Sequence, residues 1–170
     1  MRYLMLTPSD RVALLAELEG MPAFLEDAFA GLAADEAAAP GPDHTFAPVA
    51  QCWHLADLER EGYGVRIRRL QDESAPQLAD FDGARLAHER DYASRSLPAG
   101  LAAFRAARGA NVAALRALGS GAWRRGGTQD GVGPIMLCDI PAMMAEHDAA
   151  HRDEIRAWEA SRDAGRAGRG

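Results

Sequence analysis

The residues of this chain best suited to chemistry are its five histidines, His44, His54, His88, His147 and His151. His147 and His151 stand four apart in a helical pattern, so they share a face and both rings can reach one ion. The apolar stripe around them runs Ile140, Met143 and Met144, Ala150, Ile155 and Trp158, and both histidines lie on it. An imidazole turned into a core needs partners for its nitrogens. Either side chains and water satisfy the pair, or one divalent cation satisfies both. His54 lies mid-face on another helical stretch, with Ala47, Ala50, Leu58, Glu61 and Val65 at 100° per residue, and is the natural third ligand.

The levels of the three rings can be compared. His54 lies roughly 12 Å from the start of its helix, and the midpoint of His147 and His151 roughly 15 Å from the end of theirs. Antiparallel helices bring the rings to one level; parallel helices leave them on the order of 9 Å apart. If one ion takes all three, the second and fourth helices are antiparallel and the second and third are parallel. The connection over 71–97 is long enough to cross a bundle. His147-Asp148-Ala149-Ala150-His151 also comes within one residue of the H-E-x-x-H zinc-protease helix. Its Asp is one methylene shorter than the required base, and no histidine follows His151.

Other polar residues offer less. Asp57 lies one turn after His54 and about 60° off its direction. It is a candidate hydrogen-bond partner or base, against the plainer reading of a solvated acid. Glu61 lies near the centre of the histidine stripe, where a buried carboxylate needs a partner such as Arg. Cys52 and Cys138 point about 160° and 180° away from their histidine faces and read as packing residues rather than nucleophiles.

The elements that must position these groups are helices. At 170 residues there is room for one domain, 48% of it apolar and 6% aromatic, with blocks of Ala, the strongest helix former. Thr7-Pro8 is a helix start, and the first helix reaches Phe29 with a kink or break at Gly20-Met21-Pro22. Helices are expected over about 45–70, 97–118 and 135–158, with a short one near 84–92. Gly-rich 120–133 reads as a loop, and 161–170 as a flexible tail after a single domain over 1–160. The expectation is an all-α four-helix bundle, more than half helix with essentially no sheet.

Composition excludes several functions. The net charge is −6, and all 19 basic residues are Arg. Without Lys there is no Walker-type phosphate loop and no Schiff base. An acidic chain with scattered Arg is not a nucleic-acid binder. No apolar run nears the ~20 residues of a membrane span, and no signal peptide or short-spaced cysteine pair is evident, so a reduced cytoplasmic setting is expected.

Four stretches resemble the DinB/YfiT-like metalloenzyme family: Pro48-Val-Ala-Gln-Cys-Trp-His54-Leu-Ala-Asp57, Phe81-Asp-Gly83, Leu101-Ala-Ala-Phe-Arg-Ala-Ala-Arg108, and Glu146-His147-Asp148-Ala-Ala-His151-Arg-Asp-Glu-Ile155. The resemblance implies an up-down-down-up four-helix bundle with a long connection between helices 2 and 3. It implies a divalent ion, zinc or nickel, on His54, His147 and His151, with open positions for water. Three neutral imidazoles with open positions describe a catalytic rather than a structural site. The family includes low-molecular-weight thiol S-transferases, a thiol-dependent isomerase and damage-inducible proteins. The implied function is therefore activation of a thiol or water against a small-molecule substrate. The alternative is a noncatalytic stress-response binding protein whose metal only holds two helices. A homodimer is expected from the resemblance and from Trp53 and Leu55 on outer helix faces. His44 and His88, in a loop and a connecting helix, are expected to take no part.

Overall fold

The structure is a computed structural model that describes residues 3–42 and 45–167. His44 lies outside the described residues, as does 168–170 of the expected tail. The first long helix, α1 (Pro8–Ala28), is capped by the Thr7 side chain, which accepts from the Asp10 amide. It runs unbroken through Pro22, so the stretch is one helix rather than two short ones. A short α2 (Ala34–Ala37) comes next. Then α3 (Pro48–Asp57), a π-helical turn (Leu58–Tyr63) and α4 (Gly64–Asp72) form one continuous helical stretch. After a two-residue strand, β1 (Gln77–Leu78), come α5 (Gly83–Glu89), α6 (Leu97–Arg116), β2 (Gly126–Gln129), β3 (Gly133–Met136) and α7 (Ile140–Ala167).

Two expectations are corrected. The Gly-rich stretch read as a loop carries a sheet of order β1-β2-β3, parallel between β1 and β2 and antiparallel between β2 and β3. Gly-Gly-Thr-Gln has little strand propensity, and the strand exists because its neighbours come close. A Cβ at Gly127 would collide with the Pro76 carbonyl, so only glycine lets the chains pair here. Leu78 and Ile135 of the sheet, with Leu137 just after it, join Leu15, Leu70 and Leu115 in one apolar cluster. Helix also continues through 161–167, where the sequence predicts a tail. Of the described residues, 72% are helical.

The helices meet through identifiable pairs. Between α1 and α6, Glu19 pairs with Arg116 and Glu26 with Arg105. Between the α3–α4 stretch and α6, the Trp53 indole donates to the Ser96 carbonyl and Asn111 donates to Glu59. Between that stretch and α7, Gln51 donates to Glu154 at 2.8 Å and the Tyr63 hydroxyl to the Met143 carbonyl at 3.1 Å. Between α1 and α7, Arg152 lies over Phe24 and Trp158 meets Phe29 edge-on.

Every residue of α3 is buried, so this helix runs through the interior with no solvent face. Trp53 and Leu55 therefore pack inside the chain. The outer-face argument for a homodimer falls away with them. Among the described residues no helix is long and apolar enough to cross a membrane.

Candidate metal centre

The three histidines converge. One ligand atom from each of His54, His147 and His151 lies within 4.8 Å of the other two. His147 Nε2 and His151 Nε2 are 3.3 Å apart, and the His54 ring centroid is 5.6 and 5.1 Å from theirs. α7 supplies two rings from one face and α3 the third. Phe46 and Phe81 pack on the His54 ring at 5.2 and 5.9 Å, and Tyr63 meets His147 edge-on at 6.4 Å. His54 and His151 are buried, and His147 is partly open to solvent.

Gly83, the first residue of α5, makes room for His54. A Cβ there would lie 2.6 Å from His54 Nδ1 and closer still to Cε1. Any larger residue would push the ring from its place.

Burial pushes the His54 imidazole down to about 4, with His151 adding to the shift and Glu154 and Asp57 opposing it. Burial likewise pushes His147 down to about 3, aided by His151, His54 and Arg108. Both rings are thus neutral at pH 7, with lone pairs available. His54 Nδ1 is buried without a hydrogen-bond partner. His151 Nδ1 lies 3.1 Å from Glu154 Oε2, without hydrogen-bond geometry. Glu154 itself is held down to about 2, chiefly by His151.

These features fit a cation. With bonds of about 2.1 Å, two nitrogens 3.3 Å apart subtend an angle of about 104°, close to the tetrahedral value. The donor set, three imidazoles with a carboxylate beside one of them, suits zinc and its neighbours.

The remaining candidates sit elsewhere. Asp57 is fully buried rather than solvated, and accepts from the Tyr92 hydroxyl at 2.6 Å and from Arg60 and Arg90. Burial raises its carboxyl and these donors more than offset that, leaving it below the usual range. With its oxygens so engaged, it is poorly placed to take a proton. Glu61 is half exposed, although it does pair with an arginine, Arg90, at 2.7 Å. Its predicted burial fails because the π-turn inserts an extra residue per turn and rotates the side chains beyond it. His88 is exposed on α5. Cys52 is buried, and burial pushes its thiol far up, as expected of a packing residue.

Sequence reasoning missed a buried ionic layer that shares α7 with the histidines. The Arg108 guanidinium donates to both oxygens of Asp148, at 2.6 and 2.8 Å, and to the Leu18 carbonyl at 3.0 Å. It also pairs with Glu59 at 2.9 Å, and Asn111 donates to Glu59 at 2.7 Å. Arg108 lies four residues from both Phe104 and Val112, on the apolar stripe of α6, and that placement was the available signal. Asp148, in the position of a protease base, is bound to Arg108 and unavailable for that role. Glu154 and Gly83 were also missed.

No protein with a curated description matches this chain. The solved structure of YfiT from Bacillus subtilis superposes with a TM-score of 0.83 at 22% identity, covering 94% of this chain and 90% of that one. It is described as a probable metal-dependent hydrolase with an unusual four-helix bundle topology. A likeness at that identity speaks for the fold. The family is carried by the sequence: the DinB superfamily pattern matches residues 17–155, a span that holds all three clustered histidines, and the chain belongs to that superfamily.

Proposed function

We propose that the chain is a metal-dependent enzyme that binds one divalent cation, zinc or nickel, on His54, His147 and His151 and acts on a small-molecule substrate. The observation that carries this reading is the cluster itself: three rings from two distant segments meet, two of them held neutral, and the Nε2 atoms of the α7 pair are 3.3 Å apart. A bound ion there supplies the Lewis acidity that lets a water, or a low-molecular-weight thiol, lose its proton near neutral pH.

The chain's own residues do the rest. Gly83 leaves the His54 ring its place, and Phe46 and Phe81 keep water from its faces. Glu154, steadied by Gln51, fixes the side of His151 that faces away from His147. Arg108 holds Asp148, so the residue between the two histidines does not compete for the cation. The partly open His147 marks the side from which a substrate enters.

The bundle is read as up-down-down-up. The order of the cross-helix pairs supports this. Glu19–Arg116 and Glu26–Arg105 run in opposite chain order, as do Gln51–Glu154 and Tyr63–Met143. Trp53–Ser96 and Glu59–Asn111 run in the same order, as do Phe24–Arg152 and Phe29–Trp158.

The test is elemental analysis of protein purified without a polyhistidine tag and reconstituted with zinc or nickel. About one ion per chain is expected from a single three-histidine site. Stoichiometry near zero, or one that survives His54→Ala, refutes the reading. A hydrolysis screen with and without an added thiol then separates water from thiol as the nucleophile.

A further inference from the structure

Away from the histidines, residues of α1, α2, α3 and α6 and their flanks enclose a cavity of about 560 Å³, a size typical of ligand pockets. Its lining holds none of the three histidines and none of the rings packed on them. Val49 reaches it from α3, about 140° round that helix from His54. The interior is apolar. Phe29 and Val49 are almost wholly buried there, and Leu32, Leu97 and Leu101 line it beside them. Much of the rest is alanine, including Ala34, Ala37 and Ala38, whose small side chains leave the space open.

The more exposed part of the lining is charged. Glu26 stands there with both carboxylate oxygens taken by Arg105. Arg95 stands there with no carboxylate or carbonyl acceptor for its side chain among the described residues. Arg11, Arg116 and Arg162 also line cavities, but backbone carbonyls hold the first, Glu19 the second and Asp163 the third. The Arg95 guanidinium is nonetheless fixed in place. It lies 3.6 Å from the Trp53 ring centroid, and the Trp53 indole donates to the Ser96 carbonyl at 3.1 Å. Ser96 caps α6, so the positive end of that helix dipole adds to the charge of Arg95. We propose that this cavity is a second binding site, for an aliphatic monocarboxylic acid. Its chain fills the alanine-lined interior and its carboxylate meets Arg95. One free guanidinium balances one negative charge, whereas a phosphate near −2 would be undercompensated and would lie beside Glu26. A lining that is aliphatic apart from Phe29 suits an alkyl chain.

This site stands apart from the proposed metal centre and is tested without metal. The probe is octanoate, with octanol as the same chain without charge and acetate as the charge without the chain. Binding is followed by calorimetry on chelator-treated protein. Octanoate is expected to bind saturably and more tightly than either comparison compound. Arg95→Gln should weaken octanoate by about fivefold, the loss of an ion pair at the surface, and leave octanol unchanged. Ala34→Leu, which fills the cavity from α2, should weaken both. Both positions are exposed, so the variants should keep the wild-type circular dichroism. If Ala34→Leu does not fold, Ala38→Leu, exposed on the same wall, takes its place. His151→Ala should bind octanoate as wild type does. Absence of saturable octanoate binding, octanol binding as tightly as octanoate, or equal octanoate binding by wild type and Arg95→Gln overturns the site. Loss of binding in His151→Ala moves the acid to the histidines and also overturns it. Binding that weakens as the protein dimerises in sedimentation gives the cavity to a second copy, with the same consequence. A chain that binds octanoate through Arg95 but no metal overturns the metal centre and leaves this site standing.

Discussion

The Glu59–Arg108–Asp148 layer and the histidine cluster are both polar, both deep in the bundle and adjacent along α7, where Asp148 directly follows His147. They differ in what they leave open. In the ionic layer each charge meets an opposite charge, and Asn111 and the Leu18 carbonyl take further hydrogen bonds. It lies between two apolar clusters, with Leu58, Tyr63, Val112 and Met144 on one side and Leu55, Phe104 and Ile155 on the other. It touches all the long helices and fixes their register. In the histidine cluster two buried nitrogens, His54 Nδ1 and His151 Nδ1, have no hydrogen-bond partner, and burial holds His54 and His147 neutral. A closed polar group specifies a fold, whereas an open one awaits a ligand. The chain places them side by side, so that the first can hold the second rigid.

The largest expected effect breaks the closed layer. Arg108→Met leaves Glu59 and Asp148 buried without their countercharge. Removing one partner of a buried pair costs about 3–5 kcal/mol. Urea denaturation should show a loss of that size, and a loss under about 1 kcal/mol, the level of an exposed pair, would mean the layer is not structural. The same measurement on metal-free His151→Ala should show a much smaller change, because no ion pair of comparable burial is lost.

Metal content reverses the ranking. His151→Ala is expected to take the ion stoichiometry from about one to near zero, since a three-ligand site does not survive with two. His88→Ala, exposed on α5, should change nothing. Retention of a full equivalent of metal by His151→Ala would place the ion elsewhere.

The open cluster should also be the more sensitive to pH. In the unfolded chain His54 and His147 take up protons as pH falls through about 6.5. In the folded, metal-free chain they do so only near 4 and 3. Between those values the unfolded state binds more protons, so stability falls as pH falls. Urea midpoints of metal-free protein should therefore drop steadily from pH 7 to pH 5, a window above the titration of ordinary carboxylates. The drop should be shallower in His54→Gln. A flat profile would show that the rings are not held neutral.

The contrast between the regions also explains what was legible in the sequence. The histidine site could be read because its signal is local: a pair at i, i+4 and a third ring at a matching level. The long helices were legible from Thr7-Pro8 and the apolar repeats, which act within one turn. The ionic layer was not, because its members come from three segments and Glu59 lies inside the π-turn, where a 100° step gives the wrong face. For the same reason a regular helix puts Glu61 inside and gives no hint of Glu59. The sheet escaped because its pairing is set by contact between Gly127 and Pro76, distant in sequence and with no strand-like side chains to announce it.

The smallest expected effect tests whether the two regions act as one support. Glu154 touches neither the metal position nor the ionic layer; it acts only through His151, 3.1 Å away. Its carboxylate is held ionised down to about pH 2, so it is a fixed negative charge at every working pH. A carboxylate beside a ligating imidazole sets the ring's orientation and raises its basicity, and its loss lowers metal affinity by about 10–100-fold. Glu154→Gln keeps the size and a hydrogen-bonding amide but removes the charge. Competition with a chromophoric chelator should show affinity falling by about tenfold, with stoichiometry still near one. Stability of the metal-free form should change little, because the side chain is more than a third exposed. Unchanged affinity would mean that the ionic layer alone holds His151 in place.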